Sequence, residues 1–145
     1  MAKVLIKKLD PTVELPAYKT GGASGMDLMA LVNKPIILKP NYSCLVPTGL
    51  AVAFSNDFEI QIRPRSGLAA KNNISVLNTP GTIDSDYRGE IKIILFNHGK
   101  NDFLINNKDR IAQMILTPVI KMKLQEVDVL PETVRGEGGF GSTGK

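Results

Sequence analysis

The residues with the clearest chemical potential lie in segment 76–90, VLNTPGTIDSDYRGE. Two carboxylates, Asp84 and Asp86, follow a proline and a glycine, and Tyr87 comes directly after them. Strands disfavour aspartate, so acids beside glycine and proline predict a turn or hairpin. A hairpin that carries an acid and an aromatic ring can hold a flat, hydroxylated ligand and also move a proton. The residues alone do not choose between the two acids as proton acceptor.

A second candidate site opens at Arg63, where the sequence RPRSG leads into a short helix-like run, SGLAAK. Arg63 and Arg65 supply two guanidinium groups, and Ser66 supplies a hydroxyl. The free N–H groups and the dipole of a helix N-terminus favour anions. Ser66 taken alone is an ordinary helix N-cap. Two arginines beside that cap favour a triphosphate or another polyanion as ligand.

Two further segments carry polar residues with more than one interpretation. Asp27 follows a glycine-rich turn in GGASGMDLMA, where an acid is usually a turn or cap residue. One well-placed carboxylate is also enough to hold a water on a Mg²⁺ ion. In the strand-like run RIAQMI, Arg110 and Gln113 either face a ligand or lie at a solvated edge.

The C-terminal segment differs in kind, because residues 135–145, RGEGGFGSTGK, include five glycines. Such a composition cannot pack a core and predicts mobility unless a ligand orders it. Consecutive N–H groups in glycine-rich chain can wrap phosphate oxygens, and Ser142 and Thr143 add hydroxyl donors. Phe140 stands alone among glycines, which indicates an aromatic ring that covers something.

The rest of the chain predicts the frame that must position these residues. The sequence has 13 glycines and 9 prolines, and short β-patterned runs lie between them. Residues 58–63 and 90–93 alternate strictly, as half-buried strands do. Many short strands with frequent turn residues predict a single all-β sandwich or barrel. The runs are residues 36–38, 44–54, 58–63, 90–97, 102–105 and 110–119.

The counts of cysteine and histidine narrow the chemistry, because Cys44 and His98 are the only residues of their types. An internal disulfide is excluded, and so is a zinc site rich in cysteine or histidine within one chain. Cys44 lies in an apolar run, which favours an inert thiol over a nucleophile. Any metal ion must therefore be a hard cation held by oxygens, partly those of a substrate.

Charge and hydropathy narrow the range of partners. The net charge of +4 is modest and tryptophan is absent. A nucleic-acid surface would interleave aromatic with basic residues, and no apolar run approaches the roughly 20 residues of a membrane helix. We therefore expect neither nucleic acid nor a membrane as partner, and a cytoplasmic location.

Five of these segments, in this order, resemble the five motifs of the trimeric deoxyuridine triphosphatases (dUTPases). The matching stretches are ASGMDLMA, RPRSGLA, VLNTPGTIDSDYRGE, RIAQMI and RGEGGFGSTG. The resemblance implies a jelly-roll-like β-barrel with one short helix, assembled as a homotrimer with shared active sites. It also implies a barrel domain over residues 1–134 and a mobile glycine-rich lid over residues 135–145.

The activity that the resemblance implies is hydrolysis of dUTP to dUMP and pyrophosphate. Asp84 would be the general base that activates a water for in-line attack on the α-phosphorus. Mg²⁺ would be held mainly by the substrate phosphates, with Asp27 reaching it through water. Such a reaction limits uracil incorporation into DNA and supplies dUMP for dTMP synthesis. Asp86 would be a structural acid of the hairpin.

The same resemblance implies how the substrate is held. Tyr87 would pack beneath the deoxyribose and exclude a 2′-hydroxyl, and Phe140 would stack on uracil. The remaining substrate-binding residues would be Asn78, Gly81, Thr82 and Ile83 for uracil, Arg65, Ser66, Gly67 and Gln113 for the phosphates, and Arg135, Gly141, Ser142 and Thr143 for the γ-phosphate end.

Three alternatives stay open at this stage. A dCTP deaminase shares the fold and the trimer, but Tyr87 and the full glycine-rich tail favour the dUTPase, also over a bifunctional enzyme. A non-catalytic dUTP sensor would need the pocket and not Asp84. A purely structural jelly-roll subunit would need none of the five motifs.

Overall fold

The structure is a computed structural model that describes residues 2–141. Over these residues the chain forms eleven short strands and one short helix. The all-β prediction is confirmed, and so is the position of the helix. The elements are β1 Val4–Lys8, β2 Met26–Met29, β3 Ile36–Leu38, β4 Ser43–Pro47, β5 Leu50–Phe54, β6 Phe58–Arg63, α1 Ser66–Asn72, β7 Ile74–Val76, β8 Gly81–Ile83, β9 Lys92–Asn97, β10 Phe103–Ile105 and β11 Arg110–Pro118.

The prediction of one strand over residues 44–54 is wrong, because the chain turns between β4 and β5. Gly49 has a φ of 69°, a left-handed conformation that glycine adopts without steric cost. A side chain at Gly49 would also collide with Val13 and Leu31, because its Cβ would lie only 2.6 and 2.7 Å from their side-chain carbons. The turn therefore depends on this glycine, and the apolar residues around it hide the break from a reading of hydropathy.

The sheet that concerns function has four antiparallel strands in the order β2-β11-β6-β8. Its two edge strands, β2 and β8, carry Asp27 and Gly81–Ile83. The central strand β6 ends at Arg63 and leads into α1. Four of the five motifs therefore lie on or beside one sheet. The other strands pair as β4-β9-β7, β1-β5 and β3-β10.

The core follows from alternation along the strands, as β9 illustrates. Ile93, Leu95 and Asn97 are buried, while the residues between them are not. The buried amide of Asn97 is fully bonded: its Nδ2 donates to the carbonyls of Leu38 and Asn101, both at 2.9 Å, and its Oδ1 accepts the Gly99 N–H at 2.8 Å. A buried amide without such partners would cost free energy, so this one is compatible with the core.

The packed body ends soon after β11, where the Val119 N–H donates to the Asp57 carbonyl at 2.8 Å. Residues 120–141 contain neither helix nor strand. Apolar side chains in this stretch are strongly exposed, among them Ile120 at 94% and Val134 at 111%. The boundary of the barrel domain at residue 134 stays a prediction. In the described residues, no helix is long and apolar enough to cross a membrane.

Candidate functional site

The turn after β8 exposes Asp84 and Tyr87 to solvent, and hydrogen bonds hold the turn in place. The Tyr87 N–H donates to the Asp84 carbonyl at 3.1 Å, which closes the turn. Nη1 of Arg88 donates to the carbonyls of Ser85 at 2.7 Å and Tyr87 at 3.0 Å. Asp84 and Asp86 are both exposed. The predicted turn is therefore present, but it is not a β-hairpin, because β8 pairs with β6 whereas β9 pairs with β4 and β7. Its backbone fixes the positions from which Asp84 and Tyr87 project.

The strand before this turn is held close against β6. Gly81, Thr82 and Ile83 pair with Ile62, Gln61 and Ile60 respectively. Gly81 is buried, and a Cβ on it would lie 3.2 Å from Cβ of Ile62 and 3.3 Å from Nδ2 of Asn78. Asn78 therefore packs over Gly81, and the peptide bond between Thr79 and Pro80 is cis. Because β8 is the edge of its sheet, its outer backbone groups face away from β6.

The ring of Tyr87 is fixed at two points. Its hydroxyl donates to the Glu90 carbonyl at 2.9 Å. A Cβ on Gly89 would run into the phenol, so the ring lies directly over that glycine. With 43% of its surface exposed, the ring is available as a flat wall for a ligand.

A cluster of opposite charges forms at the far edge of the sheet. Nε of Arg65 lies 2.8 Å from Oδ1 of Asp27, and Nη1 of Arg110 lies 3.4 Å from Oδ2. Arg65 also donates from Nη1 to the Arg110 carbonyl at 3.1 Å. Asp27 and Arg65 are half-buried, at 20% and 26% side-chain exposure. The carboxylate thus orients two guanidinium groups, which can turn free N–H donors toward an anion.

Three further predicted residues lie beside this cluster. Gln113 pairs with both Asp27 and Arg63 in the sheet register, and its Nε2 donates to the Pro64 carbonyl at 2.9 Å. Ser66 and Gly67 are exposed and form the first turn of α1. The N-cap is Arg65 with extended backbone and no side-chain capping bond, so Ser66 is not the cap. Its hydroxyl is left available to a ligand.

The two groups of residues are separated within one chain. Met26, Met114, Ile62 and Gly81 form one row across the sheet. Three strand spacings of about 4.8 Å put β8 roughly 14 Å from β2. Within residues 2–141, no hydrogen bond or salt bridge joins the turn after β8 to the charge cluster. The structure brings together Asp27, Arg65 and Gln113, and separately Asn78, the β8 residues, Asp84 and Tyr87.

The tail residues make local contacts. Nε of Arg135 donates to the Gly138 carbonyl at 2.7 Å, and Phe140 is fully exposed. Gly141 has a φ of 92°. Ser142 and Thr143, which were also predicted to bind substrate, lie outside the described residues.

The structure adds residues that the sequence did not single out. An open groove of 260 Å³ beside Asp27 and Arg110 is lined by Lys19 and Lys108, which lie far apart in sequence. Lys108 is paired with Glu14 at 2.8 Å. Lysine positions alone gave no signal for this groove, because only the fold brings them to one place.

The residues present fit a metal ion only in a limited way. Within residues 2–141, no three His, Cys, Asp or Glu side chains group as metal ligands. Asp27 is a single carboxylate with both oxygens already near guanidinium groups. Such a site fits a hard cation held chiefly by a ligand's own oxygens, with the protein in contact through water.

Cys44 does not belong to either group of residues. It is half-buried in β4, and burial raises the pKa of its thiol. A raised pKa lowers the thiolate fraction at neutral pH, and the thiolate is the reactive form. This agrees with the interpretation of Cys44 as an inert packing residue.

Comparison with known proteins decides the family. The dUTPase family model matches residues 12–144, which is nearly the whole chain. The chain belongs to the dUTPase family. The resemblance that the five motifs indicated is therefore confirmed, and the dUTPase fold, a jelly-roll-like β-barrel, agrees with the strands and the single helix described above.

Curated relatives support the same assignment over nearly their full length. The chain is 55% identical over 137 residues to a deoxyuridine 5′-triphosphate nucleotidohydrolase of Treponema denticola, covering 94% of this chain and 95% of the relative. It is 54% identical over 145 residues to the protein of that name in Rickettsia bellii, covering 99% and 97% respectively.

Solved structures share the fold at lower identity. A dUTPase of Staphylococcus bacteriophage 80alpha, determined with dUpNHpp, has a TM-score of 0.88 and 21% identity, covering 99% of each chain. A dUTPase of phage phi11 of S. aureus has a TM-score of 0.80 and 18% identity, covering 90% of this chain and 99% of that one. The phi11 structure is described as revealing the coordination of a structural Mg(II) ion.

Proposed function

We propose that this chain hydrolyses dUTP to dUMP and pyrophosphate, with Asp84 as the base that activates the attacking water. Membership of the dUTPase family supports dUTP as the substrate. The observation that supports a base at this place is the closed turn that exposes Asp84 near Tyr87, while the preference for Asp84 over the equally exposed Asp86 rests on the dUTPase motif. A carboxylate at that place can accept a proton from water while the neighbouring ring holds the sugar.

Uracil would be read by the outer edge of β8, at Gly81, Thr82 and Ile83. An edge strand offers N–H and C=O groups that can pair with a flat heterocycle as they would with another strand. Asn78 supports this role because its amide packs over Gly81 at the same edge. The tight turn that follows β8 would leave little space for the methyl group of thymine.

Tyr87 would form the wall beneath the sugar. Tyr87 is 43% exposed, its ring lies over Gly89, and its hydroxyl is anchored by the hydrogen bond to the Glu90 carbonyl. A ribonucleotide would place its 2′-hydroxyl against that ring and lose hydration without gaining a partner. Discrimination then comes from a clash and an unpaired polar group, which together are more selective than either alone.

The phosphates would bind at the charge cluster of another subunit. Arg65 and Gln113 supply donors, and Ser66 and Gly67 supply the free N–H groups of a helix start. Bound Mg²⁺ would neutralise phosphate charge, held chiefly by the substrate, with Asp27 in contact through water. The charge cluster is compatible with contact through water, because the one carboxylate, Asp27, is already paired with Arg65 and Arg110.

The site would be shared in a homotrimer, with the tail given by a third subunit. The separation of roughly 14 Å between β8 and β2 supports sites built from different copies. The exposed apolar side chains after residue 119 also favour burial against another copy. Arg135, Phe140 and Gly141, together with Ser142 and Thr143, would close over the nucleotide as a lid that excludes water.

Replacing Gly81 with alanine tests the β8 edge. The added methyl group meets Cβ of Ile62 and the Asn78 amide, so the variant should lose about 1–3 kcal/mol of stability and bind dUTP more weakly. Thermal unfolding and the KM for dUTP measure these effects. Gly22→Ala is the matched control, because a Cβ at Gly22 meets nothing within 4 Å. Equal behaviour of the two variants would contradict a role for the Gly81 backbone.

The activity itself is tested by pyrophosphate release from dUTP, dCTP, dTTP and UTP, with Mg²⁺ and then with EDTA. We expect metal-dependent release that is many-fold faster from dUTP than from the other three nucleotides. Release from dTTP at a rate near that from dUTP would contradict recognition of uracil at β8, and release from UTP at such a rate would contradict the role of Tyr87. If the folded protein released no pyrophosphate from any of the four nucleotides, the catalytic proposal would be refuted.

A further inference from the structure

We propose that Glu90 and Thr48 are positioning residues that hold Tyr87 in place and thereby set selectivity for the deoxyribose. This inference rests on the proposed function, because it concerns the wall beneath the sugar. Neither residue carries an obvious catalytic signal in the sequence. Their role follows from a chain of hydrogen bonds between the β4–β5 turn and the segment at Glu90 that follows the Asp84 turn.

The first bond in this chain joins Glu90 to the turn at Gly49. Oε1 of Glu90 accepts the Gly49 N–H at 2.9 Å across 41 residues of sequence. Gly49 is buried and has a left-handed φ of 69°, so its position is fixed by the surrounding side chains. Glu90 is half-buried, with 23% side-chain exposure. A rigid donor therefore fixes the side chain of Glu90 and restricts the backbone that carries it.

Two further bonds clamp the next residue. The hydroxyl of Thr48, 1% exposed, donates to the Ile91 carbonyl at 2.6 Å. The Ile91 N–H donates to the Leu50 carbonyl at 2.8 Å. Ile91 itself is fully buried. The N–H and the C=O of Ile91 are thus both tied to the core, and the chain next to Glu90 has little freedom to shift.

The clamp reaches Tyr87 through the Glu90 carbonyl. That carbonyl accepts the Tyr87 hydroxyl at 2.9 Å, and the ring lies over Gly89 between them. If the Glu90 backbone shifts, the phenol loses its acceptor and the wall moves with it. Because Tyr87 also closes the turn at Asp84, the ring is held at its backbone and at its hydroxyl. Loss of the hydroxyl hydrogen bond would remove one of these two attachments of Tyr87.

The relevant property of Glu90 is its acceptor oxygen and not its charge. The ion pair with Lys92 is long, at 3.8 Å, and Lys92 is 46% exposed. Exposed pairs of this kind contribute little to stability. A glutamine at position 90 keeps the Oε1 acceptor for Gly49, whereas an alanine removes it. Comparing these two variants therefore distinguishes a role of the acceptor oxygen from a role of the charge.

The test compares Glu90→Ala, Glu90→Gln and Lys92→Ala. For each, kcat/KM is measured for dUTP and for UTP, and the ratio gives the selectivity for the deoxyribose. We expect Glu90→Ala to lower that ratio about fivefold to tenfold, because one anchoring hydrogen bond is lost. Glu90→Gln and Lys92→Ala should keep the wild-type ratio within about twofold, since the acceptor survives in both. Thr48→Val against Thr48→Ser repeats the comparison at the second anchor.

Two kinetic results would overturn the inference. An unchanged ratio in Glu90→Ala would remove Glu90 from sugar selection, and an equal loss in Glu90→Gln would make charge the cause. Ring signals of ¹³C-labelled tyrosine, recorded without nucleotide and assigned with Tyr87→Phe, give a readout that needs no turnover. Tyr87 signals shifted in Glu90→Ala but not in Glu90→Gln support the clamp, and unshifted signals refute it. A wild-type protein inactive on dUTP would refute the proposed function separately.

Discussion

Replacing Asp84 with asparagine is expected to abolish most turnover of dUTP while leaving nucleotide binding in place. Loss of a general base lowers rates by about 10²–10⁴-fold, and asparagine keeps the size of the side chain without its basicity. The Asp84 side chain is exposed and its turn is closed by backbone groups, so the turn should survive the change. Single-turnover kinetics with dUTP and calorimetric binding of a non-hydrolysable analogue measure the two effects.

The neighbouring acid provides the control for this prediction. Asp86→Asn makes the same chemical change two residues away, at another exposed position of the turn. We expect it to retain activity within a few-fold of wild type and an unchanged Tm, since exposed substitutions usually alter stability by less than about 0.5 kcal/mol. If Asp86→Asn lost activity and Asp84→Asn kept it, the assignment of the base would be reversed.

Local patterns in the sequence predicted the all-β class, the helix and seven of the eleven strands, but the predicted runs did not include β1, β2, β7 or β8. Strict alternation in residues 58–63 identified β6, and the run SGLAAK identified α1 to within one residue. The failure at residues 44–54 has a plain cause. The turn at Gly49 depends on a left-handed φ and on packing against Val13 and Leu31, and neither is visible as a change in hydropathy.

The site was predictable as a set of motifs but not as a geometry. Each motif is a local arrangement of residue types, so the sequence shows it directly. The partners are distant: Arg65 meets Asp27 across 38 residues, and Glu90 meets Gly49 across 41. Only the register of strands brings such pairs together. The sequence placed Ser66 at the N-cap because serine is a preferred residue there, whereas the structure places Arg65 at that position.

Removing the tail is expected to affect activity as strongly as removing the base, without disturbing the barrel. A chain ending at residue 134 lacks Arg135 and Phe140, and its packed strands stay intact because β11 ends at Pro118. Loss of a closing lid exposes the phosphates to water and misplaces them for in-line attack, so we expect kcat to fall by about 10²-fold or more. Thermal unfolding should be unchanged, and a lowered Tm would mean that the tail stabilises the barrel instead.

A mixture of two inactive variants then tests whether the sites are shared between subunits. Asp84→Asn keeps its tail, and the truncated chain keeps Asp84. If each site takes its base from one copy and its tail from another, co-refolded mixed trimers contain complete sites and regain activity. With random assortment of equal amounts, about a quarter of all sites combine a functional base with an intact tail, because each has an even chance. Mixed trimers that are verified by native mass spectrometry and remain inactive would show that base and tail act within one chain, and the gap between β8 and β2 would then need another explanation.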